Sequence, residues 1–289
     1  MKKLLVVSLM MCSAFLTKGV DTPILVTAQW VNEHLRDPNL VLVHVSYSKF
    51  DYDKEHIDGA RYLWPEWLAP NTPEVNYNAP DAKVATEILQ SLGISDNSHV
   101  VLYHVRNEVS VTARMFLTLE HFGLKGKVSY MNGGLDAWKK EGFSVTQENP
   151  VVKKGNVKTK PGNLLVDKNY VLNALKDNKG YVVDARATRY YDGEPVGYPR
   201  DGHIAGAKNI QFTDLFDQDN FVKPSNELEG YFAPIESKDK EVITYCFIGQ
   251  TASVVYLAGR ILGYDMKLYD GSMQEWSRFD ELPMEKTQK

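Results

Sequence analysis

The chain has 289 residues, 43% hydrophobic and 24% charged, with a formal net charge of −4. That is enough apolar material for two ordinary domains, and the acidic balance argues against nucleic acid as a partner. With two cysteines in the whole chain and no Cys/His cluster at ligand spacing, neither a disulfide framework nor a metal site is expected.

Lys2 and Lys3, the apolar run Leu4 to Met11, and small and polar residues through Gly19 have the layout of a secretory signal peptide over residues 1–19. The run is too short for a permanent membrane span, and no later segment is long enough, so no stable membrane span is expected. Cys12 is a candidate for bacterial lipidation, but Met11 stands where such sites need a small residue. Export to the periplasm without a lipid anchor is therefore the expectation, with a retained N-terminal segment ranked below both. Removing residues 1–19, which hold three lysines and no acid, takes the charge from −4 to −7.

From residue 23, short β-rich runs alternate with helical patterns. The strand candidates of the first half, residues 23–147, are 41–45, 100–103 and 128–131. Residues 148–163 carry Pro150, Gly155, Pro161, Gly162 and several lysines, a composition suited to an exposed linker. In the second half, residues 164–285, the strand candidates are 181–184, 242–245 and 266–269. Near-continuous apolar strands between helices predict an α/β fold with a mostly parallel sheet covered on both faces.

The halves are copies of one another. His56-Ile57-Asp58-Gly59-Ala60 matches His203-Ile204-Ala205-Gly206-Ala207, Tyr103-His104 matches Tyr245-Cys246, and the 132–138 segment ending in Trp138 matches 270–276 ending in Trp276. The offsets are 147, 142 and 138 residues, far above a solenoid period, so the chain is two tandem domains.

Cys246 stands between the strand candidate ending at Tyr245 and a helix predicted over 252–262. Val254, Leu257, Ala258, Ile261 and Leu262 carry that helix's apolar stripe, and Gly263 stands where a C-cap would. A thiol at this junction faces backbone N–H groups and the positive end of a helix dipole, a setting that favours a thiolate and bound anions. Once the signal peptide is removed, Cys246 has no cysteine to pair with. A lone thiol kept in an exported protein is exposed to oxidation, which favours a chemical role over packing.

At these residues the chain resembles tandem-domain rhodanese-like sulfurtransferases of the thiosulfate and 3-mercaptopyruvate types. The resemblance rests on Asp184-Ala185-Arg186, Gly202-His203-Ile204-Ala205-Gly206-Ala207, the loop from Cys246, and Leu268-Tyr269-Asp270-Gly271-Ser272 followed by Trp276. It implies two rhodanese-like domains and a catalytic Cys246 that takes sulfane sulfur from a small donor as a persulfide and passes it to a thiophilic acceptor, cyanide or a thiol. A protein acceptor remains open, and no cofactor is implied. The substrate-binding loop would comprise Phe247, Ile248, Gly249, Gln250 and Thr251. Gly249 would let it close tightly, and Thr251 would either turn its hydroxyl inward or cap the helix. Arg186 corresponds to a substrate-anion arginine offering paired hydrogen bonds. Asp184 and His203 read as structural. His104 in place of the cysteine makes the first domain non-catalytic.

The loop departs from the family at Phe247-Ile248, where thiosulfate enzymes often carry Arg-Lys and mercaptopyruvate enzymes Gly-Ser. Neither side chain binds an anion. Phe247 would cover the cysteine, contact a larger acceptor, or pack at the domain interface. Thiosulfate is the expected donor, because sulfite leaves as a stable anion. The alternatives are 3-mercaptopyruvate and a persulfide carrier that does not turn over. A phosphatase of the Cys-x5-Arg type is excluded by Ala252 at the arginine position.

Overall fold

The computed structural model describes residues 22–287; the predicted signal peptide and Cys12 lie outside the described residues. The first half contributes strands β1 (Leu25–Val26), β2 (Leu40–Val45), β3 (Arg61–Leu63), β4 (His99–His104) and β5 (Val128–Met131), in the all-parallel order β1-β5-β4-β2-β3. The second contributes β6 (Leu165–Val166), β7 (Gly180–Asp184), β8 (His203–Ile204), β9 (Lys208–Asn209), β10 (Glu241–Tyr245), β11 (Met266–Tyr269) and β12 (Met284–Glu285). Five of these form a second parallel sheet in the matching order β6-β11-β10-β7-β9, while β8 and β12 make a short antiparallel pair. Among the described residues no helix is long and apolar enough to cross a membrane.

Strand alternation sorts the side chains into three cores. Leu42, Val101 and Tyr103 pack on the outer face of the first sheet, and Val182, Ile243 and Tyr245 on the outer face of the second. The opposite parity, with Val43, Leu102, Val183 and Val242, enters a single core shared by both domains. The helices Val109–Leu119 and Ala252–Ile261, each following a central strand, pack against one another inside this shared core. Every residue of the first is buried, as are Ala252 to Gly259 of the second. At one end of the pair Glu120 accepts a hydrogen bond from the Tyr256 hydroxyl at 2.7 Å and an ion pair from Arg260.

The duplication extends to side-chain detail. His56 stacks on Tyr52 and shares a hydrogen bond with its carbonyl; His203 does the same with Tyr191. The Tyr103 hydroxyl accepts from the Ile57 amide as the Tyr245 hydroxyl accepts from Ile204, at 3.3 and 3.0 Å. These bonds fix each turn against its central strand, which gives His203 the structural role expected of it.

The 148–163 segment differs from a free linker. Its side chains are mostly exposed, but the amides of Gly155, Val157, Lys160 and Gly162 bond carbonyls of Gln90, Ile94, Phe122 and His121. A Cβ on Gly155 would lie 1.9 Å from the Ile94 oxygen. The glycine that suggested a linker is what permits this close backbone approach.

Candidate functional site

Parity along β10 places the Cys246 side chain on the inner face, at the carboxyl end of the sheet, facing the first domain. The residue is fully buried. The loop then reverses over Phe247 to Thr251 into the helix Ala252–Ile261, with Gly249 at φ +83°. That left-handed turn brings the Gly249 amide within 3.1 Å of the Cys246 sulfur, to which it donates. Among the described residues the amides of Phe247, Ile248, Gln250 and Thr251 have no hydrogen-bond partner, so the loop holds unpaired donors beside the sulfur, the arrangement of an anion nest.

Ser272, at φ +51°, supports the loop from beneath: its hydroxyl accepts from the Cys246 amide at 3.3 Å and donates to the Tyr269 carbonyl. The Met273 and Gln274 amides bond the carbonyls of Cys246 and Phe247. Thr251 makes no side-chain cap bond, so the capping role is not realised. Gln250 instead reaches across to the first domain, donating to the Ser110 hydroxyl at 3.0 Å. Ile248 packs against the shared core.

Arg186 departs from its expected geometry. Its paired hydrogen bonds go to Asp184, with Nε 3.0 and 3.1 Å and Nη2 2.6 Å from the carboxylate oxygens, and Nη2 also donates to the Gly202 carbonyl. Burial alone would lower the guanidinium's pKa, and the bonds and charge of Asp184 raise it above its ordinary value. Only Nη1 makes no intramolecular hydrogen bond, so Arg186 has one free arm rather than a free fork. The guanidinium also lies 5.2 Å from the Phe247 ring. Tyr190 and Tyr198 close around the same ring at 5.2 and 5.9 Å. Phe247 is thus half-buried, held between Tyr190, Tyr198 and the Arg186 guanidinium. Burial raises the Tyr198 pKa and the neighbouring Cys246 adds to the rise, so this hydroxyl stays a proton donor.

Three contributors escaped the sequence reading of the site. Arg114, from the first domain, is fully buried; its Nη2 approaches Asp270 Oδ1 at 2.6 Å and its Nη1 reaches the Gly249 carbonyl at 3.4 Å. The Arg114–Asp270 approach lies off the hydrogen-bonding direction, so it is a charge pair first. A lone arginine in the apolar run Val109 to Leu119 was its signal. Ser272 sat within a recognised motif, whereas Tyr198, in a Gly/Pro-rich stretch, carried no signal at all.

In the first domain, strand register sets His44 and Ser46 where the second has Asp184 and Arg186. His104 is buried, its Nδ1 3.1 Å from the Arg106 carbonyl, and burial lowers its pKa to about 4. Gly134 takes the place of Ser272, and a Cβ there would lie 2.7 Å from the imidazole. The imidazole fills the room that a serine uses in the other half.

A buried thiol in an amide-lined loop, at the carboxyl end of one of two duplicated parallel sheets, defines a class of proteins that transfer groups through sulfur. The Rhodanese-like domain profile matches residues 27–141 and 167–279, and the chain belongs to the rhodanese family. It is 32% identical over 279 residues to the sulfur carrier protein TtuD of Thermus thermophilus, covering 91% of this chain and 96% of that protein. It is 30% identical to 3-mercaptopyruvate sulfurtransferase of Escherichia coli, covering 92% and 99%, and 32% identical to thiosulfate sulfurtransferase of Cricetulus griseus, covering 90% and 93%. The crystal structure of SseA from Escherichia coli, a 3-mercaptopyruvate sulfurtransferase, superposes with a TM-score of 0.77 at 27% identity, over 87% of this chain and 99% of that one.

Proposed function

We propose that the protein is a sulfurtransferase in which Cys246 carries sulfane sulfur from thiosulfate to a thiophilic acceptor, cyanide or a thiol. The thiolate attacks the outer sulfur of thiosulfate; the S–S bond breaks and sulfite leaves with its electron pair. The acceptor then attacks the terminal sulfur of the Cys246 persulfide and regenerates the thiolate. The observation that carries this reading is the Gly249 amide on the sulfur beside four unpaired loop amides. These stabilise negative charge on thiolate, persulfide and departing sulfite without a general base. Arg186 contributes its Nη1, and the first domain supplies the facing wall.

Two features favour second readings. The protonated Tyr198 hydroxyl gives a hydrogen-bond donor for the enolate that leaves 3-mercaptopyruvate, which Phe247 and Ile248 lack. The complete burial of Cys246 would shelter a persulfide, as a carrier requires, and TtuD is a sulfur carrier by name. Matched steady-state assays with thiosulfate and 3-mercaptopyruvate, cyanide as acceptor, decide among the three. Thiosulfate turnover, one added sulfur on the Cys246 peptide, and loss of both in Cys246→Ser are expected. A tenfold preference for mercaptopyruvate, about 1.4 kcal/mol, would reverse the donor. A single stoichiometric release would make the protein a carrier.

A further inference from the structure

A cleft of about 310 Å³ opens on the first domain, with no wall in common with the Cys246 site. Tyr52, Tyr62 and Trp67 supply aromatic surface, Lys49 and Arg61 supply cations, and Pro150 closes one side from the 148–163 segment. This volume is at the small end of ligand pockets, room for one ring and its substituent.

The cations differ in their bonding. Lys49 is paired with Asp53 at 2.5 Å and lies 5.4 and 5.8 Å over the rings of Tyr52 and Tyr62. Arg61, half-buried, forms no ion pair among the described residues. Its Nη1 donates to the Gly59 carbonyl at 3.0 Å, while its Nε is sealed from solvent without a partner. Burial lowers its pKa, opposed only by the Tyr52 phenol. The shielded arginines elsewhere each have a carboxylate: Arg114 has Asp270, Arg186 has Asp184, and Arg260 has Glu120. A guanidinium withdrawn from water without a counter-charge is unfavourable, and an anion in the cleft would relieve it.

The second domain lacks the arrangement. Aligning His56–Ala60 with His203–Ala207 sets Lys208 and Asn209 where the first domain has Arg61 and Tyr62, and Lys208 is exposed. The half without the cysteine is the half that holds an unpaired cation in an aromatic cleft.

We propose that this cleft is a second ligand site, taking a small organic carboxylate with a flat aromatic body. The carboxylate meets the Nη2 of Arg61, which has no intramolecular hydrogen bond and is not sealed as Nε is, and the ring lies against Tyr62 and the half-exposed Trp67. A charge-assisted contact to one guanidinium and one aromatic face together give modest affinity.

Isothermal titration of the wild-type protein with phenylacetate tests this, with 2-phenylethanol as the neutral counterpart and sodium sulfate as a bare anion. Saturable one-to-one binding of phenylacetate is expected, about tenfold or more tighter than either control. Arg61→Gln should weaken it about tenfold or more, Trp67→Ala should also weaken it, and Lys208→Gln should leave it unchanged. Without ligand, Arg61→Gln should stay folded, losing the bond to the Gly59 carbonyl but no native ion pair. No saturation up to about 20 mM, equal affinity for alcohol or sulfate, or binding indifferent to both Arg61→Gln and Trp67→Ala would overturn the proposal.

Discussion

Arg114 is where the first domain grips the sulfur-binding loop, and its deletion gives the sharpest test of that arrangement. At 2.6 Å from Asp270, and with an effective dielectric of about 20, the gross attraction is about 6 kcal/mol. Desolvation of a fully buried guanidinium offsets much of it, and breaking such a pair from one side costs about 3–5 kcal/mol. Asp270 is 15% exposed, so water recovers part of the loss and about 3 kcal/mol is expected for Arg114→Met. For a chain of this size that is a melting shift of about 6–12 °C. Asp270→Asn should cost at least as much, because it leaves the fully buried Arg114 guanidinium without a counter-charge, although the amide oxygen still accepts from the Ala79 amide, bonded at 3.0 Å in the native protein. The double variant should then recover about 2 kcal/mol relative to the sum of the singles. Urea unfolding of all four proteins measures the cycle. Additivity within about 0.5 kcal/mol, or an Arg114→Met loss below about 1 kcal/mol, would refute the pairing as the link between domains.

Replacing Phe247-Ile248 with Arg-Lys should raise thiosulfate kcat/KM and leave any mercaptopyruvate activity flat or lower, since cations then face a dianion; a fall with thiosulfate would contradict the charge argument. Arg186→Lys removes the free Nη1 arm and should lower donor kcat/KM by the equivalent of about 1.5–3 kcal/mol, whereas Arg186→Ala also strands Asp184 and should destabilise by about 3 kcal/mol. Unchanged kinetics in Arg186→Lys would confine the residue to a structural role. His44 and His104 are held neutral by burial, with pKa values lowered to about 3 and about 4. The unfolded chain takes up protons near pH 6.5 that the native state refuses, so stability is full above neutrality and falls as pH drops from about 6.5 towards 4. His104→Asn should flatten that slope and leave activity near wild type; a flat wild-type profile across this window would show that the imidazoles are not sequestered.

The central strands and the helix after Cys246 were legible because their apolar runs and 3.6-residue stripe are local signals. Val128–Met131 and Met266–Tyr269 match the structure to the residue. Gly263 takes the left-handed conformation of a C-cap, at φ +81°. The Cys246 loop was legible for the same reason, since its chemistry lies within six consecutive residues. What stayed hidden depends on contacts far apart in sequence. Arg186 was assigned to a substrate, but whether a guanidinium is free or bonded to a carboxylate two residues away depends on side-chain rotamers. Arg114 touches Gly249 across 135 residues, a relation no local pattern encodes. The 148–163 segment is mostly exposed, as its composition suggests, but its backbone bonds to the first domain were not legible, because glycine and proline suit both a tether and a strap lying against another backbone.

The paired helices Val109–Leu119 and Ala252–Ile261 also bear on how this gene could change. Each packs one side on its own sheet and another on the partner helix of the opposite half, so deleting either half would expose a buried apolar face of the other. A half that carries His104 in place of the cysteine is therefore still held by this packing, and an isolated fragment of residues 164–287 should aggregate rather than fold as a smaller version of the protein.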